Sequence, residues 1–193
     1  MEFDARTALV VVDVQNDFAD PKGSLYVSGG EEVVATVNRH IVSAIAAGAP
    51  VVYTQDWHPE STPHFEKDGG IWPVHCVMDT WGADFHPRLL VAGPSVKKGS
   101  HGEDGYSGFT MRDPETGEEK PTEPDSTLRE MGAERVVVVG LALDYCVKAT
   151  ALDARRLGYD TFLPVEATAA VDLSPGDGDA ALEEARSSGV VVV

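Results

Sequence analysis

The sequence predicts a three-layer α/β/α fold with a mostly parallel sheet of about six strands. Three observations carry this. The valine-rich runs Thr7 to Val12 and Val136 to Val139 lack polar alternation, as strands buried on both faces do. Segments with apolar residues at helical spacing separate such runs, and Gly48 and Gly158 end two of them. The strand-helix alternation recurs five or six times without internal repeats or a linker. It implies right-handed crossovers, helices on both sheet faces, and one domain over residues 1–193.

The first strand, Thr7 to Val12, runs straight into Asp13. An Asp there sits at a strand's carboxyl edge, where open α/β sheets place ligands, although it also suits a turn. Pro21, Gly23, Gly29 and Gly30 mark a loop. Glu31 to Ala47 then reads as a helix through Val33, Val34, Val37, Ile41 and Ile45. Pro50 to Gln55 is the next strand, and Asp56-Trp57-His58 follows it. In extended chain, residues two apart point the same way, so Asp56 and His58 converge. His64 and His75 lie in the loop beyond. One Asp and three His within 20 residues form a ligand set for a borderline divalent ion. Zinc ranks first, with iron or manganese as alternatives.

Ser95 to Gly99 reads as a short strand ending in lysine, and a lysine there is ordinarily at the surface. Residues 113–125 (DPETGEEKPTEPD) are acidic, Pro-rich and without apolar periodicity, which predicts an exposed loop or arm. Ser126 to Met131 reads as a short helix with a Ser cap. After the valine strand, a turn at Gly140 to Asp144 leads into a helix from Cys146 to Gly158. Thr161 to Val165 is a strand, Asp179 to Ser187 a helix, and Val190 to Val193 a terminal strand.

Composition narrows the function. The net charge of −17 opposes binding to phosphate backbones and anionic lipid. Two cysteines, Cys76 and Cys146, make neither a disulfide framework nor a CxxC pair. The N-terminus lacks the basic and apolar regions of a signal peptide, and no run reaches membrane-spanning length, so a cytoplasmic protein is expected. The expected partner is a small molecule, with no nucleic acid and no membrane, in a monomer or small homo-oligomer.

A lone cysteine is most often a buried structural residue. Cys146, however, falls where a strand hands over to a helix N-terminus, among unpaired N–H groups and the positive end of the helix dipole. That setting favours a thiolate and an oxyanion, as in a nucleophile elbow with Cys in place of Ser. Asp13, Asp56, Lys98 and Cys146 each end a different predicted strand. In a parallel sheet those ends share one edge, so the four meet.

The residues then resemble a known family. VVDVQNDF at Val11 to Phe18, Thr54 to His58, Trp72 to Cys76, Gly82 to Pro87, Lys98-Gly99, Tyr106 to Phe109 and Gly140 to Val147 resemble the nicotinamidases, also called pyrazinamidases. These are isochorismatase-like cysteine hydrolases, and the likeness covers nearly the whole chain. It implies the isochorismatase-like hydrolase fold and a catalytic triad of Asp13, Lys98 and Cys146. It implies one metal ion on Asp56, His58, His64 and His75, and a cis peptide between Leu141 and Ala142. Family pocket positions map to Phe18, Leu25, Trp72, Tyr106 and Tyr145. The acidic arm is longer than in the shortest members, and Lys97 doubles the triad lysine.

The residue types suggest a mechanism. Cys146 attacks a carboxamide carbon while the N–H groups of Ala142 and Cys146 hold the oxyanion. Asp13 moves the proton, and Lys98 holds Asp13 and biases the cluster toward thiolate. The resemblance implies hydrolysis of nicotinamide to nicotinate and ammonia, and of pyrazinamide to pyrazinoate. Relatives acting on another small amide or a vinyl ether share Asp13, Lys98 and Cys146 but typically lack the Asp/His set. A flavodoxin-like binding module is the other alternative, though no GxGxxG follows any strand.

Overall fold

The structure, a computed structural model, describes residues 2–103, 105–113 and 116–193. In chain order come strand β1 (Thr7–Val12), helices α1 (Asn16–Ala19) and α2 (Gly30–Ala46), and strands β2 (Val51–Asp56), β3 (Ser95–Lys98), β4 (Thr110–Arg112) and β5 (Glu119–Pro121). Helix α3 (Glu123–Glu130), strand β6 (Arg135–Leu141), a π-helical turn (Leu143–Val147) and helix α4 (Lys148–Arg156) follow. Strands β7 (Asp160–Leu163) and β8 (Thr168–Ala169), helix α5 (Asp177–Ser187) and strand β9 (Val191–Val192) complete it.

The main sheet has the order β3-β2-β1-β6-β7-β9, with β8 beside the end of β6. Its pairings are parallel, and it has seven strands among the described residues, against about six expected. The extra strand is β8, two residues long and too short for a hydrophobic pattern to reveal. From β1 the chain steps outward to β2 and β3, and from β6 it steps the opposite way to β7 and β9. The β1/β6 boundary is therefore the switch point, beyond whose carboxyl ends α/β sheets bind ligands.

Period-two alternation sorts the core into two layers. Leu9, Val11, Val137 and Val139 face α2, where Val33, Val37 and Ile41 meet them. Ala8, Val10, Val136 and Val138 face the other way, toward Leu128 of α3, Ala151 and Ala154 of α4, and Ala181 and Ala185 of α5. The small residues on α4 and α5 let those helices approach the sheet closely. Gly140 is needed at the β1/β6 seam: its φ is +117°, and a Cβ there would stand 2.1 Å from the Val12 carbonyl oxygen.

The acidic segment departs from expectation. Residues 114 and 115 of the predicted arm lie outside the described residues. On either side, β4 and β5 pair as an antiparallel hairpin with Arg112 opposite Glu119. Backbone bonds rather than a buried face hold these polar strands, so no periodicity announced them. The following helix begins at Glu123, earlier than predicted, with Pro124 in its first turn. Ser126 does not cap it. Its Oγ donates to the Glu123 carbonyl from inside the helix (2.8 Å), while Thr122, at the cap position, donates its Oγ1 to Gly108 O (2.6 Å).

Candidate active site

The sheet brings the predicted strand-end residues together. β3, β2, β1 and β6 are consecutive parallel neighbours, and Asp56 is in register with Lys98. Asp13 leaves β1 with a φ of +48°, and its N–H donates to Thr54 O (3.2 Å). Thr54 Oγ1 in turn donates to Asp13 Oδ1 at 2.6 Å, leaving Oδ2 toward the cluster. Lys98 Nζ lies 2.8 Å from that Oδ2 and 3.6 Å from Cys146 Sγ, and it is also paired with Asp56 Oδ1. Lys98, which the shared strand edge places in the cluster although a strand-end lysine alone suggests the surface, is completely buried, because two carboxylates at the sheet edge compensate its charge. Lys97 points elsewhere, with Nζ 3.4 Å from the Trp57 ring centroid, so the doubled lysine adds nothing to the cluster.

Burial and charge act against each other here. Burial pushes the Asp13 carboxyl up, and Lys98 offsets this only in part. Burial would also raise Asp56, but Lys98, His58 and His75 outweigh it and hold that carboxyl well below the usual range. Burial would lower Lys98, yet Asp13, Asp56 and Cys146 hold its ammonium well above the ordinary value. For Cys146, burial and the two carboxylates push the thiol well above its ordinary value, against Lys98. Lys98 and the helix terminus favour the expected thiolate, while desolvation and the two carboxylates oppose it.

The histidines converge one strand away. His58 N donates to Cys76 O (2.9 Å) and its carbonyl accepts from Met78 N (2.8 Å), which brings the 75–78 segment alongside. Ring nitrogens of His58, His64 and His75 lie within 4.8 Å of one another. Asp56 Oδ2 faces them, 3.7 Å from His58 Nε2 and 3.8 Å from His75 Nε2. His75 Nδ1 is 2.8 Å from Pro73 O, which orients its Nε2 inward. Among the described residues, both ring nitrogens of His58 are buried without a hydrogen-bond partner. A buried His58 nitrogen orphaned in this way, close to two imidazoles and a carboxylate, fits a divalent metal.

A small cavity opens beside Cys146 and the histidines. Cys146, Ala142, Asp56, His64 and His75 line it together with Phe18, Leu25, Trp72, Tyr106 and Tyr145. Trp72 stands edge-on to Tyr145 (centroids 4.7 Å apart), and its Nε1 donates to Tyr106 Oη (3.0 Å). The Leu141–Ala142 peptide is cis, as the resemblance implies. The Ala142 carbonyl accepts from Tyr145 N and Val147 N, which fixes the loop under Cys146. Helix α4 itself begins only at Lys148, with the π-helical turn carrying Cys146 before it.

The family model described as isochorismatase domain matches residues 7–193. The chain belongs to the isochorismatase family. It is 40% identical to the nicotinamidase/pyrazinamidase of Mycobacterium tuberculosis, over 96% of this chain and 97% of that protein. A pyrazinamidase of Pyrococcus horikoshii, solved in complex with zinc, superposes with a TM-score of 0.86 at 39% identity, covering 97% of this chain and 98% of that one. PnC1 from L. infantum, solved in complex with nicotinate, superposes with a TM-score of 0.88 at 35% identity, covering 100% and 95%.

Within this isochorismatase chain, sequence reasoning missed several residues at the site. Thr54 orients Asp13, and a threonine inside a strand gave no sign of it. Val171 lines the cavity from a loop held by Asp144, whose carboxylate accepts from Val171 N (3.0 Å) and Asp172 N (2.9 Å). An Asp in an otherwise apolar turn was the available signal for that role. Val171 offered none.

Proposed function

We propose that residues 1–193 form one isochorismatase-like hydrolase domain that converts nicotinamide to nicotinate and ammonia, and pyrazinamide to pyrazinoate, through a thioester on Cys146. The observation that carries this reading is one small aromatic cavity lined both by Cys146, the thiol of the Asp13–Lys98–Cys146 cluster, and by Asp56, His64 and His75 of the histidine set. Similarity to nicotinamidases over nearly the full chain supports it.

In this reading Asp13 takes the thiol proton as Cys146 Sγ attacks the carboxamide carbon. Burial raises both the Asp13 carboxyl and the Cys146 thiol, and Lys98 opposes it at each. The N–H groups of Ala142 and Cys146 hold the tetrahedral oxyanion. Asp13 then protonates the departing nitrogen, and ammonia leaves. Water attacks the thioester carbon, Asp13 takes its proton, and the acid departs as the proton returns to Sγ. Lys98 holds Asp13 in place and compensates the charge of the buried cluster. Phe18 and Trp72 flank the flat ring, with Leu25, Tyr106 and Tyr145 closing the cavity around it.

Asp56, His58, His64 and His75 would hold one divalent ion, zinc first, with iron or manganese as alternatives. A bound ion supplies a Lewis-acid contact for the ring nitrogen, while the nucleophile is already present in Cys146. We place the protein in the cytoplasm as a monomer or small homo-oligomer without nucleic-acid or membrane partners, a reading supported by its net charge of −17.

The test is ammonia release from a panel of small amides, with metal content measured in parallel on protein purified without a histidine tag. Preference for nicotinamide and pyrazinamide by metal-loaded protein is expected. Turnover of a different amide, with none of these two, would reassign the substrate. No turnover of any amide would leave a binding protein.

A further inference from the structure

We propose that Gln15, outside both the cluster and the histidine set, is a positioning residue for the metal site. It acts by standing in for a missing strand beside Asp56. The inference rests on the metal reading above.

Asp56 is the last residue of β2 and carries two duties, facing the histidines through Oδ2 and Lys98 through Oδ1. On its β3 side the ladder continues, with Trp57 N donating to Lys98 O (2.8 Å). On its other side β1 has already ended at Val12, and the chain turns away at Asp13. The backbone N–H and C=O of Asp56 would be left there buried and without a ladder partner, which is unfavourable. The carboxamide of Gln15 fills that place. Its Oε1 accepts from Asp56 N (2.8 Å), and its Nε2 donates to Asp56 O (2.7 Å). A primary amide offers the same donor-acceptor pair as a peptide group, so the side chain extends the β1 ladder by one more step. Gln15 is completely buried, so water does not compete for these bonds.

The second Nε2 hydrogen donates to Ala83 O (2.8 Å). That carbonyl has another donor, Gln55 Nε2 at 3.2 Å. Support of the 81–83 turn is therefore shared between two glutamines, whereas the two bonds to the Asp56 backbone are made by Gln15. Without them the Asp56 backbone is held from the β3 side alone, and a shift there moves Oδ2 relative to His58 and His75. Outer residues that orient a ligand in this way are commonly worth 10–100-fold in metal affinity.

The pair of glutamines supplies the experiment. Gln15→Met and Gln55→Met each remove one bond to Ala83 O, and Gln15→Met alone removes the bonds to Asp56. Zinc affinity of the metal-stripped proteins is measured by chelator competition, alongside the rise in Tm on adding saturating zinc. Gln15→Met should bind zinc at least about tenfold more weakly than wild type, and Gln55→Met should match wild type. Gln15→Asn, which is polar but too short to reach both Asp56 groups, should follow Gln15→Met and serves if the Met variant does not fold. A smaller zinc-induced rise in Tm should accompany the loss. Unchanged zinc affinity in both Gln15 variants, or an equal loss in Gln55→Met, would overturn the proposal. A wild-type protein that takes up no zinc would instead overturn the metal reading.

Discussion

Lys98 is ion-paired with Asp56, the same carboxylate whose other oxygen faces His58 at 3.7 Å. One aspartate thus belongs to the buried cluster and to the histidine set at once. Asp56→Asn should produce two effects of different kind. Zinc affinity should fall, because an anionic ligand is lost. In the metal-stripped protein, Cys146 should alkylate faster than in metal-stripped wild type, because Asp56 is one of the charges that raise its thiol. Iodoacetamide rates and chelator competition on the same samples check both. An unchanged alkylation rate would show that Asp56 serves the histidines alone.

Cys146→Ala should abolish turnover and leave the fold and zinc uptake intact. Cys76→Ala should be milder: that thiol is completely buried, its sulfur meets Gly82 O at 3.8 Å, and burial raises it well above the usual range. Steady-state ammonia release on both variants decides between the two thiols, and a dead Cys76→Ala beside an active Cys146→Ala would reverse the assignment.

Asp13 and Lys98 act on Cys146 with opposite sign, since Asp13 raises its thiol and Lys98 lowers it. Asp13→Asn should lower kcat by at least about 10²-fold, the usual size of a positioned general base, while alkylation of Cys146 quickens. Lys98→Ala should lower kcat and slow alkylation at neutral pH. Rates that move together in the two variants would disprove this division of labour.

If a bound ion orients the ring through its nitrogen, benzamide should lose at least about 10²-fold in kcat/KM against nicotinamide, or roughly 2.7 kcal/mol. Removing the metal, or changing His64→Ala, should depress nicotinamide turnover strongly and benzamide turnover little, so the two converge. A ratio that stays constant would point to an ion that activates water.

Acid stability should depend on Asp4. Its carboxylate accepts from Thr7 Oγ1 (2.8 Å) and Arg6 N (3.0 Å) and pairs with Arg135, which hold it down from 3.8 to about 2. A depressed folded value means the unfolded chain binds the proton first. The contribution is therefore complete above about 4 and is lost as pH falls toward 2. Thermal unfolding across that window should show a smaller pH dependence for Asp4→Asn than for wild type. Parallel curves would remove Asp4 from the acid transition.

Much of the fold was legible because it rests on local signals. Valine runs without polar alternation marked β1 and β6, and glycines after helical spacing ended α2 and α4. Asp13, Asp56, Lys98 and Cys146 could be brought together on paper because parallel strands that share a sheet put their carboxyl ends on one edge. The hairpin of β4 and β5, the start of α3 and the short β8 were hidden. Backbone pairing between polar residues leaves no periodic trace, and Thr122 was drawn to Gly108 by a tertiary bond.

The order of residues sets which chemical groups stand at the strand ends and which histidines lie in one loop. Tertiary structure alone decided their state. Whether Lys98 is a surface ammonium or a buried one depends on two carboxylates contributed by other strands, Asp13 and Asp56. Whether Cys146 rests as thiol or thiolate depends on how desolvation compares with those charges. The partner of Gln15 is Asp56, 41 positions away, and the partners of Asp144 are backbone groups 27 and 28 positions away. Burial and long-range hydrogen bonds are properties of the packed chain. No local window of residues contains the distances that set them.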